Sequence, residues 1–283
     1  MNSKEHKSLN RIGTYRKPEG HKLKMTYIVG ANCTDGVVLV GDRKLSVGDT
    51  EEACEDKLFQ LEIGEVVVGA SGSKGLFDKF LELISIKVKQ ALDFKSKEYL
   101  ILDAINDCED IAKELTERYF NRIRETIDVL IAFRGDNGIP VLYTVSGLYG
   151  FSETVNKYKA IGHGEPYGSI FLKTMWHTDM TMSEFSKIAY FVIRCIEEMK
   201  LDSSVGYDPQ TWFIPRIIPE EGKTIGELKE KYPIRQATDK ESEEMFNHSD
   251  TLICEMERFL REFKKSKDQD LKVGEKSNVK VQE

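Results

Sequence analysis

The sequence predicts an α+β domain in which two antiparallel β-sheets lie between two outer layers of helices, a four-layer αββα sandwich. Three observations carry this prediction. The predicted elements run as four strands, two helices, three strands, two helices and a strand, without the βαβ alternation that builds parallel sheets. An Asp-Gly turn joins the first two strands as a hairpin. Several strand segments are almost wholly apolar, as expected of strands that are covered on both faces.

The first half of the chain alternates β-rich runs with turn residues and then changes to helical periodicity. The predicted strands are residues 26–33, 37–42, 57–63 and 66–71, with Asp35-Gly36 and Gly64 as the turns. Two helices follow, over residues 77–92 and 102–119, because apolar side chains recur there at steps of three and four residues.

The second half runs as three strands, two helices and a final strand. Strands are predicted over residues 127–133, 141–145, 157–161 and 210–214. Between the last two, one helix begins near Pro166, since proline suits the first helical turn. The next helix begins at Thr181, which forms a capping box with Glu184.

Both ends of the chain differ from this predicted domain, residues 26–218. Residues 1–25 carry seven Lys and Arg against two Glu and no apolar periodicity, which indicates a flexible basic leader or a removable propeptide. Residues 219–283 form a charged extension. An amphipathic helix is predicted at about 241–264, docking on the body or on a partner, and a disordered tail is predicted from Lys264.

Composition excludes several classes of function. The net charge of −7 argues against binding to nucleic acid, and no apolar run approaches the roughly 18 residues of a membrane span. We therefore expect a soluble, cytoplasmic protein. The five cysteines lack C-x-x-C pairs, and the five histidines lack metal-ligand spacing, so neither a disulfide framework nor a metal is expected. Residues 162–168 are glycine-rich but do not match G-x-G-x-x-G, and no cofactor is expected.

Three polar residues stand at positions that the hairpin brings together. Thr26 begins the first strand, Asp42 ends the second and Lys57 opens the third. Because the start of one hairpin strand lies beside the end of the other, Thr26 and Asp42 are predicted neighbours, and Lys57 can reach the same edge. Taken by themselves, these residues equally fit a strand threonine, a turn aspartate and a surface lysine.

The pattern over residues 26–44 resembles the opening hairpin of the proteasome β-subunit branch of the N-terminal-nucleophile (Ntn) hydrolases, of the archaeal type. Lys57-Leu-Phe resembles that family's lysine-bearing strand, and residues 67–72 its glycine-containing fourth strand. Residues 162–164 and 202–206 resemble later elements near its site. The resemblance covers about residues 26–216 and implies the αββα fold and a threonine-type peptidase.

The resemblance assigns a role to each matched residue. Thr26, as the first residue of the mature chain, would supply the attacking hydroxyl and the α-amine that accepts its proton. Lys57 would lower the pKa of the Thr26 groups, Asp42 would orient Lys57, and the Gly69 N–H would bind the oxyanion.

The remaining matched positions surround that centre. Asp202 and Ser204 would complete the polar network around the amine. Ser46 and Ser71 would bind a peptide or unfolded protein as an added strand, with Lys44 and Leu45 beside them in the substrate-binding segment. The resemblance also implies a homo-oligomer, or a ring with related subunits.

Three departures keep alternatives open. Met25 precedes Thr26 where family members with a leader usually carry a small residue, so either translation begins at Met25 or residues 1–25 are cleaved at an unusual bond. His163 and Val205 replace serines that are common in the family. A catalytically silent, proteasome-like structural or binding subunit, and a transpeptidase using the same acyl-enzyme, therefore stand beside the peptidase.

Overall fold

The computed structural model describes residues 26–47, 51–61, 65–72, 74–95, 101–123, 126–135, 137–148, 151–206 and 208–278. The predicted leader lies outside the described residues. The strands are β1 Ile28–Cys33, β2 Gly36–Gly41, β3 Lys44–Val47, β4 Glu51–Cys54, β5 Leu58–Gln60, β6 Val66–Ser71, β7 Asp128–Arg134, β8 Pro140–Ser146, β9 Phe151–Thr154, β10 Tyr158–Ile161, β11 Gln210–Pro215 and β12 Arg235–Gln236. The helices are α1 Lys74–Lys95, α2 Ile101–Ile123, α3 Glu165–Met175, α4 Met182–Glu198, α5 Ile225–Lys231 and α6 Asp239–Asn278.

The strands form two five-stranded antiparallel sheets, which confirms the predicted fold class. The first sheet has the order β10-β1-β2-β11-β12, and the second has the order β5-β6-β7-β8-β9. Strands β3 and β4 make a separate hairpin between β2 and β5 in the chain. Helices α3 and α4 pack against the first sheet, α6 packs against α4, and helices α1 and α2 pack against the second sheet.

The apolar runs divide between these layers with the period of two that a strand requires. In β1 and β2, Val29 and Val38 point toward the helices, whereas Ile28 and Leu39 point toward the other sheet. Leu130 of β7 belongs to the same core between the sheets. Each central strand is therefore apolar on both faces, as the sequence pattern indicated.

The helix-start signals are confirmed, and several short elements were missed. Pro166 lies in the first turn of α3, and Thr181 and Glu184 form the capping box of α4. Sequence patterns did not predict β3, β4, β9, α5 and β12. These elements have two to seven residues and are rich in polar side chains, so each is too short to show a periodic hydrophobic pattern.

The C-terminal extension is built into the fold. Strand β12 pairs with β11, Ile234 belongs to the core between the sheets, and Met245 of α6 belongs to the core beneath α4. Helix α6 begins near the predicted start of the amphipathic helix and continues to Asn278, beyond the predicted end at about residue 264. The disordered tail stays a prediction. None of the helices in the described part of the chain has the length and apolar character needed to cross a membrane.

A fully buried arginine joins the two sheets at the edge away from Thr26. Arg134, at the end of β7, forms an ion pair with Glu65, with Nε 2.8 Å and Nη2 3.1 Å from its two oxygens. Its Nη1 donates to the carbonyl oxygens of Pro215 and Tyr232. One guanidinium thus connects the start of β6, the end of β11 and the end of α5.

We expect Arg134→Met to lower the free energy of unfolding by about 3 kcal/mol, because it leaves a carboxylate and two carbonyl groups without their buried donor. Chemical denaturation measures this. The control is Arg118→Met, which breaks an exposed Arg–Glu pair on α2 and should cost no more than about 0.5 kcal/mol. Equal midpoints for the two variants would contradict a structural role for Arg134.

Candidate active site

The β1–β2 hairpin sets the geometry of the candidate active site. Its register pairs Ile28 with Gly41, so that Tyr27 lies opposite Asp42. The Tyr27 N–H donates to Asp42 Oδ1 at 2.7 Å, and the Asp42 N–H donates to the Tyr27 carbonyl at 3.0 Å. Thr26, directly before Tyr27, is also buried. The predicted proximity of Thr26 and Asp42 therefore agrees with the hairpin geometry.

Lys57 reaches Asp42 from the other sheet. Its Nζ lies 2.8 Å from Asp42 Oδ2 and donates to the Lys44 carbonyl at 2.7 Å. Both members of the ion pair are buried, Asp42 completely. Two backbone N–H groups also donate to the Asp42 carboxylate: that of Lys44, whose nitrogen lies 3.2 Å from Oδ2, and that of Gly206.

The buried position also changes the protonation of this pair. Burial raises the pKa of Asp42 above its ordinary value, while Lys57 and the N–H groups of Tyr27 and Gly206 act in the opposite direction. The carboxylate therefore depends on its donors to remain charged. In return, it fixes the lysine ammonium at the end of the hairpin.

A glutamine that sequence analysis missed fixes the backbone around Lys57. Gln210, at the start of β11, accepts the N–H groups of Lys57 at 3.2 Å and Leu58 at 2.9 Å, and it donates to the Leu58 carbonyl at 2.9 Å. It clamps the start of β5 onto the first sheet. A buried glutamine at a strand start offers no spacing signal, because its partners lie about 150 residues away.

The backbone of Thr26 is enclosed by the loop before α3. Gly162 has φ +97°, and a methyl group there would lie 1.9 Å from the Thr26 carbonyl oxygen. The Gly164 N–H lies 3.5 Å from that same oxygen. Only glycine fits at position 162, in both conformation and space. Residue His163, between the two glycines, is exposed.

Gly69 lies in β6, opposite Leu58 of β5 and Leu130 of β7. Leu58 is the first paired residue of β5, so Gly69 is the last residue of β6 that pairs with that strand. Its role in binding an oxyanion stays a prediction. Gly72 follows the last paired residue of β6, has φ +140°, and lies against the backbone of residues 126–127.

The predicted substrate-binding residues divide into three kinds of position. Ser71 is buried at the end of β6, and its Cβ would be 3.5 Å from a methyl group on Gly162, which places it beside Thr26. Lys44 contributes its backbone to the Asp42–Lys57 network. Leu45 and Ser46 follow in β3, where the structure describes the backbone and not their side chains.

Asp202 and Ser204 form one buried turn. The Ser204 N–H donates to Asp202 Oδ1 at 2.9 Å, and the Ser204 hydroxyl donates to the same oxygen. The turn continues to Gly206, whose carbonyl accepts the N–H groups of Arg43 at 3.2 Å and Lys44 at 3.1 Å. The turn is thus joined to Asp42 through the backbone of Gly206. Among the described residues, no cluster of His, Cys, Asp and Glu is arranged to hold a metal ion.

Comparison with known proteins places this geometry in a family. The sequence profile of the family described as Proteasome subunit matches residues 24–208, and the chain therefore belongs to that family. The proteasome β-subunit of Methanosarcina barkeri is 27% identical over 213 residues, which cover 72% of this chain and 94% of that protein. The Methanococcoides burtonii β-subunit is 28% identical over 187 residues, covering 65% and 83%.

Solved structures share the fold at lower identity. Anbu from Hyphomicrobium sp. strain MC1 superposes with a TM-score of 0.64 at 17% identity, covering 83% of this chain and 97% of that one. Anbu, the ancestral β-subunit, from Yersinia bercovieri gives 0.64 at 14% identity, covering 83% and 96%. These structural similarities support the α+β Ntn sandwich fold alone.

We expect Gly162→Ala to displace Thr26, since the added methyl group meets backbone in a conformation that L-residues rarely adopt. Reaction of Thr26 with a threonine-directed electrophile should slow by at least about tenfold, in line with the cost of misplacing a reacting group. The control is Gly75→Ala in α1, where a methyl group has nothing within 4 Å. Unchanged labelling in Gly162→Ala would contradict this placement.

Proposed function

We propose that the chain is a threonine-type peptidase in which Thr26, once freed as the N-terminus, cleaves peptide bonds through an acyl-enzyme. The buried Asp42–Lys57 ion pair carries the proposal, because it holds an ammonium group at the end of the hairpin where Thr26 begins. Burying two charges costs free energy unless they are closely paired. If the site had only a structural role, apolar side chains of similar size would stabilise the fold equally well.

The reaction begins with attack of Thr26 Oγ1 on the substrate carbonyl carbon. The hydroxyl proton passes to the α-amine of Thr26, directly or through a water molecule. A free α-amine has a pKa of about 7.7–8.0, so a useful fraction is neutral near pH 7. The positive charge of Lys57 favours the neutral amine and the developing oxygen anion.

The tetrahedral intermediate then collapses. Its C–N bond breaks, the amine returns the proton to the leaving nitrogen, and an ester on Thr26 remains. Attack of water on that ester, with the same amine accepting a proton, releases the acid and regenerates Thr26. An amine that replaces the water would give transpeptidation instead.

Backbone groups at the strand ends support substrate binding. The Gly69 N–H is the candidate donor to the oxyanion, because pairing of β6 with β5 ends at Gly69, next to Lys57. A peptide can add as a strand between the ends of β3 and β6, near Ser46 and Ser71. Assembly into an oligomer with copies of this chain or related subunits agrees with the family.

A catalytically silent subunit is the second candidate. Met25 in front of Thr26 favours it, because the α-amine that serves as base does not exist until residues 1–25 are removed. His163 and Val205, at positions where the family commonly has serine, change the surroundings of that amine. Such a subunit would keep the ion pair only for its structure.

We expect mass spectrometry of protein from its native source to show loss of residues 1–25, and Thr26 to react with a threonine-directed electrophile. Thr26→Ala should lower peptide cleavage by more than roughly 10⁴-fold, because attacker and base are lost together. The control is Thr34→Ala, a turn threonine at the far end of β1. Equal activity in Thr26→Ala eliminates the peptidase, and an intact, unlabelled N-terminus favours the silent subunit.

The carboxyl group of Asp42 should take up its proton at a pH above the ordinary carboxyl value of about 3.9, because burial raises its pKa. Infrared difference spectroscopy of the carboxyl bands measures this titration, and Asp42→Asn identifies the band. A pH–rate profile instead reports the α-amine base, whose free pKa of about 7.7–8.0 sets the acid limb. Glu220→Gln, which alters an exposed carboxylate beside Lys223 and Lys231, is the control. Titration of Asp42 at or below the ordinary carboxyl value contradicts the prediction.

A further inference from the structure

Arg194 of α4 is held by helix α6, which lies outside the residues matched by the family. Its Nη2 lies 3.2 Å from Asp250 of α6, and its Cζ lies 4.4 Å from the centroid of the Phe246 ring. On α4 itself, Nη2 lies 3.1 Å from Glu198 and Nε lies 3.9 Å from Glu197. The arginine side chain is only 13% exposed. One cation therefore serves three carboxylates at the contact of α4 with α6.

Glu197 in turn packs on the turn that supports Asp42. A methyl group on Gly206 would lie 2.6 Å from Glu197 Oε1 and 3.3 Å from Lys44 Cδ, so the carboxylate rests directly against the Gly206 backbone. That backbone donates its N–H to Asp42 and accepts the N–H of Lys44. A movement of Glu197 would therefore change the hydrogen bonding of the carboxylate that holds Lys57.

We propose that Arg194 is a positioning residue through which α6 holds Glu197 against Gly206 and keeps Asp42 aligned with Lys57. The proposal rests on the peptidase function proposed above. Its physical basis is the shared guanidinium group. That group links Glu197 of α4 to Asp250 of α6, and its loss removes this link and leaves Glu197 less tightly held against the turn.

The proposal gives the C-terminal extension a part in catalysis. The family profile matches residues 24–208, and the α6 residues that contact Arg194 follow that range. Helix α6 packs along α4 through Met245, Leu252 and Met256, and this apolar contact carries the helix independently of Arg194. Loss of the Arg194 contacts with Asp250 and Phe246 should thus leave α6 packed on α4.

The test compares Arg194→Gln with Arg261→Gln in the full chain. Arg261 forms an exposed ion pair with Glu257 on α6, and its replacement removes the same charge from the helix surface. Arg194→Gln should lower kcat by roughly 3- to 30-fold with KM little changed, the range expected for a residue that acts through others. Its acid limb should move to higher pH, because a displaced Lys57 favours the neutral form of the Thr26 α-amine less strongly.

Two further variants separate positioning from stability. Asp250→Asn weakens the hold of α6 while keeping the guanidinium, and should shift the acid limb in the same direction but less. Arg194→Lys keeps a cation and should recover part of the lost kcat. If Arg194→Gln does not fold, kcat and the pH profile of Asp250→Asn still test the proposal. Wild-type kcat and pH profile in both Arg194→Gln and Asp250→Asn would overturn the proposal.

Electrophile labelling distinguishes this failure from failure of the proposed function. If the processed wild-type protein does not react at Thr26, the peptidase proposal fails and takes the positioning role with it. If the wild type reacts and Arg194→Gln reacts at the same rate over the whole pH range, only the positioning role fails.

Discussion

The buried ion pair between Asp42 and Lys57 is the interaction on which the geometry of the site depends. Each sheet supplies one member, so the pair forms only when the two sheets face each other in a single register. Charges removed from water require close partners, and Asp42 obtains them from the backbone of Tyr27, Lys44 and Gly206 as well as from Lys57. The demand for these donors fixes the hairpin, the start of β3 and the 202–206 turn together.

Apolar packing brings the two halves of the pair within reach. The core between the sheets, with Ile28, Leu39, Leu58 and Leu130, sets their separation, and Gln210 attaches the start of β5 to the first sheet. Arg134 joins the opposite edge. Because protein interiors are close-packed, a shift at either edge is transmitted to the other rather than absorbed. The sandwich thus acts as a rigid frame around a small polar centre.

The C-terminal extension adds a second support to this frame. The turn at Gly206 is held by the N–H groups of Arg43 and Lys44, which donate to its carbonyl, and by its own N–H, which donates to Asp42. In this chain α4 is itself covered by α6, and the carboxylate of Glu197 lies between the helix layer and the turn. The helix that the sequence predicted at about residues 241–264 therefore packs on the layer beside the Asp42–Lys57 pair.

The sequence by itself determined the layered fold, the hairpin that sets Thr26 beside Asp42, and the helix starts at Pro166 and Thr181, because these follow from local periodicity and capping. It also located Lys57, through likeness to a family. It could not find the contacts of Gln210 with the start of β5 or of Arg194 with α6. Those contacts join segments that are distant in the chain, and only the packed sheets and helices decide them.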